Sequence, residues 1–70
     1  MTKTQELADP NSCFNKARED EEMFVLLARD KATPNTVRYW VNERITLGLN
    51  KPDDPKIVSA LAFAARLEQS

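Results

Sequence analysis

Few side chains in this sequence are equipped for chemistry, and their spacing restricts them further. The chain has no histidine and a single cysteine, Cys13. That composition removes Ser-His and Cys-His nucleophilic pairs within one chain, along with disulfide frameworks and Cys/His zinc clusters. Cys13 reads as a reduced thiol that serves as a small buried hydrophobe, with a redox or dimer-linking role as the alternative. Carboxylates fall into two groups, Glu19-Asp20-Glu21-Glu22 and Asp53-Asp54. The first precedes an apolar stretch, where acidic side chains oppose the positive end of a helix dipole. The second stands before Pro55 and has the form of a helix cap, since a Ca²⁺ loop needs oxygen ligands at alternating positions. One glycine cannot make a Gly-rich phosphate loop. No catalytic residue, no cofactor and no metal ion is expected, and the chain reads as a non-enzyme.

The cations are grouped as well. The formal net charge of the 70 residues is −1, but residues 1–22 sum to −3, residues 23–51 to +3 and residues 52–70 to −1. An anion-binding surface, if the protein has one, belongs to the middle segment. There Asn35, Thr36, Arg38 and Arg44 occupy or follow the start of a strongly punctuated helix, and they are the candidate DNA-contacting residues.

The elements that must carry these groups follow from punctuation and periodicity. Residues 1–11 are polar and end in the turn signal Asp9-Pro10-Asn11, so they read as a flexible N-terminal arm preceding a single helical domain over 12–70. Ser12 can cap a short helical turn bearing Phe14 and Ala17. The apolar run Met23-Phe24-Val25-Leu26-Leu27-Ala28 follows the acidic group, which predicts a helix over about 20–31. Its length and lack of periodicity suit a strand as well, so both states stay open for residues 23–29. Thr33 as N-cap, Pro34 at the first helical position, the spacing of Val37, Trp40, Val41 and Ile45, and Gly48 as stop predict a helix over 34–47. Asp54-Pro55 repeats the opening device, and Ile57, Leu61, Ala64 and Leu67 share one face of a helix over about 55–68. The expected fold is all-α, a small three-helix domain with a short N-terminal helical turn. Its expected core is Phe14, Phe24, Leu27, Val37, Trp40, Val41, Ile45, Ile57, Leu61, Ala64 and Leu67. A chain of this length builds a core that supplies only about 3–5 kcal/mol, which makes a homodimer plausible.

Two resemblances attach to these residues. Thr33-Pro34-Asn35-Thr36-Val37-Arg38-Tyr39-Trp40 resembles the opening of a helix-turn-helix recognition helix, which implies that Asn35, Thr36 and Arg38 face DNA while Val37, Trp40 and Val41 face the core. The turn before it, Asp30-Lys31-Ala32, lacks the customary glycine. A strand at Met23–Arg29 would instead resemble ribbon-helix-helix repressors, but both faces of the run are apolar where such ribbons present polar side chains. Across Ser12 to Leu67 the chain resembles short proteins of tailed phages and prophages. Ser12-Cys13, Lys16-Ala17, Asp20-Glu21, Phe24, Leu26, Ala28-Arg29-Asp30, Val37-Arg38, Trp40, Ile57, Ala60 and Leu61 carry that resemblance. Glu22 stands where those proteins often have a proline.

The phage resemblance implies an accessory protein that binds a host or viral protein. The helix-turn-helix resemblance implies a nucleic-acid partner and a small DNA-binding regulator. The longest apolar run is six residues, far short of the roughly 18–20 needed to span a bilayer. Met1–Asp9 has no apolar stretch of the kind a secretory leader needs. The cytoplasm, that of the host cell for a phage product, is the expected location, with no membrane partner.

Overall fold

A computed structural model describes residues 1–69. The protein is a small all-α domain, with four helices among the described residues: α1 (Lys3–Ala8), α2 (Cys13–Lys16), α3 (Thr33–Thr46) and α4 (Pro55–Glu68). No strand occurs among the described residues. The helices pack as two pairs, α1 with α2 and α3 with α4.

The α1–α2 pair is held mainly by polar contacts. Thr2 and Gln5 form a capping box, with the Gln5 amide donating to Thr2 Oγ1 at 3.1 Å and the Thr2 amide to Gln5 Oε1 at 2.9 Å. The polar arm therefore contains a helix, and the Thr-x-x-Gln spacing is its sequence signal. Asp9-Pro10-Asn11 turns as expected, the Asn11 amide donating to Asp9 Oδ1. Ser12 caps α2 by accepting from the Asn15 amide, while its own hydroxyl donates to the Glu6 carbonyl at 2.7 Å. Asn15 Nδ2 lies within hydrogen-bonding distance of the carbonyls of Glu6, Leu7 and Asp9, so one amide satisfies acceptors left over at the end of α1.

The α3–α4 pair holds the apolar core. Val41, Ile57, Ala60 and Ala64 are buried, Ile57 and Ala64 completely. Val37, Trp40, Ile45 and Leu61 pack around the first three. Ala60 and Ala64, four residues apart, let α3 approach α4 closely. Gly48 ends α3 at φ +72°, a conformation that costs glycine nothing. Pro34 and Pro55 sit in the first turns of α3 and α4 as anticipated, but neither expected cap works through its side chain. Ala32 holds the N-cap position of α3, and Thr33 is its first, fully buried residue. The Thr33 hydroxyl donates backwards to the Leu27 carbonyl at 2.6 Å. Asp54 occupies the N-cap position of α4, yet its carboxylate accepts from Asn50 Nδ2 and the Lys51 amide, both at 2.9 Å.

The expected helix over 20–31 does not form. Residues 21–27 form neither helix nor strand, and residues 28–32 turn into α3. Six apolar residues in a row leave no polar face, so a helix there would have no single stripe to bury. Asp30 adds a competing local bond, its carboxylate accepting from the Ala32 amide at 2.8 Å, which draws the backbone into a turn. Phe24, 85% exposed, and Leu27, 51%, accordingly lie outside the expected core, and so does Phe14 of α2, 47% exposed.

Candidate protein-docking segment

The irregular stretch 21–27 is hydrogen-bonded at its ends. At its start the Arg18 amide donates to Glu21 Oε1 at 2.9 Å and the Glu21 amide to the Arg18 carbonyl at 3.0 Å. At its end the Leu27 carbonyl accepts from both the Asp30 amide and the buried Thr33 hydroxyl. Among the described residues the backbone groups of residues 22–26 make no hydrogen bond. A run of unpaired backbone N–H and C=O groups is a feature that another protein's backbone can satisfy.

Its side chains add to that character. Met23, Phe24, Val25 and Leu27 are all exposed. Leu26 is half-buried. Beside it lies a surface depression lined by Ala28, Arg29, Asp30, Lys31, Pro34 and Leu67. Scattered exposed hydrophobes are ordinary on any protein, whereas a contiguous apolar strip with unpaired backbone marks an interaction surface. Periodicity could not expose it, because the same run of residues fits a buried strand, a buried helix or an uncovered edge.

The four residues expected to contact DNA have mostly found partners within the chain. Arg38 is clamped by Glu68 across the two helices, Nε to Oε2 at 2.9 Å and Nη2 to Oε1 at 2.6 Å. That bidentate bond, and then the charge of Glu68, raises the Arg38 pKa above its ordinary value. The same bond holds the Glu68 carboxyl below its usual range. Arg44 Nε donates to Asn50 Oδ1 at 2.6 Å, and its guanidinium lies 5.7 Å from the centre of the Trp40 ring. The amide of Asn50 in turn bonds Asp54, and this, ahead of the Lys51 amide, lowers the Asp54 pKa. Thr36 is exposed, but its hydroxyl donates to the Ala32 carbonyl. Asn35 is exposed. Glu68 thus occupies the Nε and Nη2 donors of Arg38 and competes with any phosphate or base edge for the guanidinium.

Trp40 is packed and flanked by cations rather than open for stacking, with Lys56 Nζ 5.8 Å from its ring centre in addition to Arg44. Cys13 is an exposed thiol, contrary to its expected role as a small hydrophobe, and Lys56 Nζ lies 3.3 Å from its sulfur. Among the described residues no group of three or more Cys, Asp or Glu is placed to hold a metal ion, and no helix is long and apolar enough to cross a membrane.

Comparison with known protein families, with curated proteins and with solved structures finds no match.

Proposed function

We propose that this protein is a small non-enzymatic accessory factor of a tailed phage or prophage, working in the host cytoplasm by binding a host or viral protein. The observation that carries the proposal is the stretch 21–27, which combines four exposed apolar side chains with backbone unpaired over residues 22–26. Folding has left this surface out of the core, and covering it with a partner protein removes both the apolar exposure and the open hydrogen bonds. The phage setting rests on the sequence resemblance alone. The alternative, a small helix-turn-helix-like DNA-binding regulator, rests on Asn35, Thr36, Arg38 and Arg44, and the Arg38–Glu68 clamp counts against it.

A photo-crosslinking residue placed at Phe24, compared with one at the exposed Tyr39 on α3, tests the docking role in cells that carry the gene. The expected result is an adduct from position 24 with one other protein, identified by mass, and none from position 39. An adduct of the chain only with itself, or equal labelling from both positions, counts against the proposal. So does salt-dependent binding of duplex DNA that drops in Arg38→Ala, which would favour the regulator.

A further inference from the structure

We propose that the depression beside residues 21–27 holds a carboxylate of the docked partner, so that the partner segment is an acidic, apolar peptide. The inference rests on the docking function proposed above and names the chemistry of that partner. Its geometric ground is a hollow of about 330 Å³ lined by the turn residues Ala28, Arg29, Asp30 and Lys31, together with Pro34 in the first turn of α3 and Leu67 near the end of α4. A second hollow shares Ala28 and Arg29 and reaches Leu27, which makes the depression continuous with the exposed apolar residues before it.

Charge decides what this hollow takes. Arg29 and Lys31 are exposed, and neither side chain makes an ion pair or hydrogen bond among the described residues. By contrast, Arg38 and Arg44 are engaged by Glu68 and Asn50. Asp30 is the one acid in the wall, and its carboxylate already accepts from the Ala32 amide. Glu19, Asp20, Glu21 and Glu22 line neither hollow. Two cations with open donors against one occupied carboxylate favour an anion, and a guanidinium matches a carboxylate with two parallel hydrogen bonds.

The rest of the wall, Ala28, Pro34 and Leu67, is apolar. A carboxylate carried on an apolar peptide covers that carbon surface and meets the cations in one step, which a free ion cannot do. A DNA duplex presents its phosphates outward; they would meet Arg29 and Lys31 but leave Leu27 and the apolar wall uncovered.

Anisotropy titrations of the full chain with short fluorescent peptides test the inference, the probes being alternating Glu and Leu, alternating Gln and Leu, and alternating Glu and Ser. The Glu/Leu peptide should bind most tightly and weaken as salt is raised. Arg29→Gln and Lys31→Gln should each weaken it by roughly two- to fivefold. Lys51→Gln, exposed in the loop between α3 and α4 at the far end of that helix pair, should leave it unchanged. Neither altered cation bonds another group among the described residues, and unchanged circular dichroism confirms that the variants fold. The inference is overturned if no peptide binds, if the Gln/Leu or Glu/Ser peptide binds as well as the Glu/Leu peptide, if Lys51→Gln costs as much as the other two, or if duplex DNA displaces the Glu/Leu peptide. The crosslink from Phe24 is scored in cells without these peptides. A partner captured there beside a negative titration refutes only the acidic chemistry, whereas a positive titration without an adduct refutes the docking role of the stretch and leaves the depression as an acidic-peptide site.

Discussion

Replacing Phe24 by alanine separates the observed chain path from the helix that the sequence suggests. A phenylalanine buried in a helical interface would lose about 3–5 kcal/mol on truncation. A domain of this size has a core worth only about 3–5 kcal/mol, so such a variant would be largely unfolded. In the structure the side chain is 85% exposed. Full burial of a phenylalanine covers roughly 200 Å², so the small covered remainder is about 30 Å², worth below about 1 kcal/mol at about 25 cal/mol per Å². Ile57, fully buried between α3 and α4, provides the internal standard: Ile57→Val should cost about 0.5–1.5 kcal/mol and Ile57→Ala about 2–5 kcal/mol. The assay is urea unfolding followed by Trp40 fluorescence and far-UV circular dichroism, at a concentration where sedimentation gives the single-chain mass. Phe24→Ala should then resemble the wild type more closely than Ile57→Ala does. A loss above about 2 kcal/mol for Phe24→Ala would refute the placement of residues 21–27 outside the core.

Two further outcomes follow from the α3–α4 pair. Glu68 has its pKa lowered by Arg38, so its contribution is present above the ordinary glutamate value of 4.5 and is lost as pH falls through the lower folded value. Glu68→Gln should flatten the acid side of a stability-versus-pH curve measured by urea midpoint, and an unchanged acid slope would show that the clamp is not populated in solution. Gly48 stands at φ +72° with nothing within 4 Å of where a Cβ would be. Gly48→Ala should therefore cost only backbone strain, about 1–2 kcal/mol, and Gly48→Asn less, read as thermal midpoints. Equal midpoints for Ala and Gly would remove the left-handed stop as the reason for glycine there.

The helices that were legible in the sequence are those whose signals are local. Pro34, Pro55 and Gly48 act through the backbone within a residue or two, and Val37, Trp40, Val41 and Ile57, Leu61, Ala64 repeat at the helical period, so α3 and α4 fall where punctuation puts them. The capping box of Thr2 and Gln5 was equally local and passed over. The stretch 20–31 was not legible, because an unbroken apolar run carries no phase and its state depends on whether a surface exists to cover it. The candidate DNA site shows the same limit. Arg38 and Arg44 lie on a basic helix by sequence, yet Glu68 lies 30 residues from Arg38 in the chain and reaches it only because α4 folds back along α3.

Composition alone excluded histidine chemistry, disulfides and Cys/His zinc sites within one chain, since these need residues that the chain lacks. Local spacing specified an all-α domain and the positions of its two long helices. Tertiary structure decided which hydrophobes form the core and which lie open. It also decided which cations are already paired, because both outcomes depend on groups brought together from distant parts of the chain.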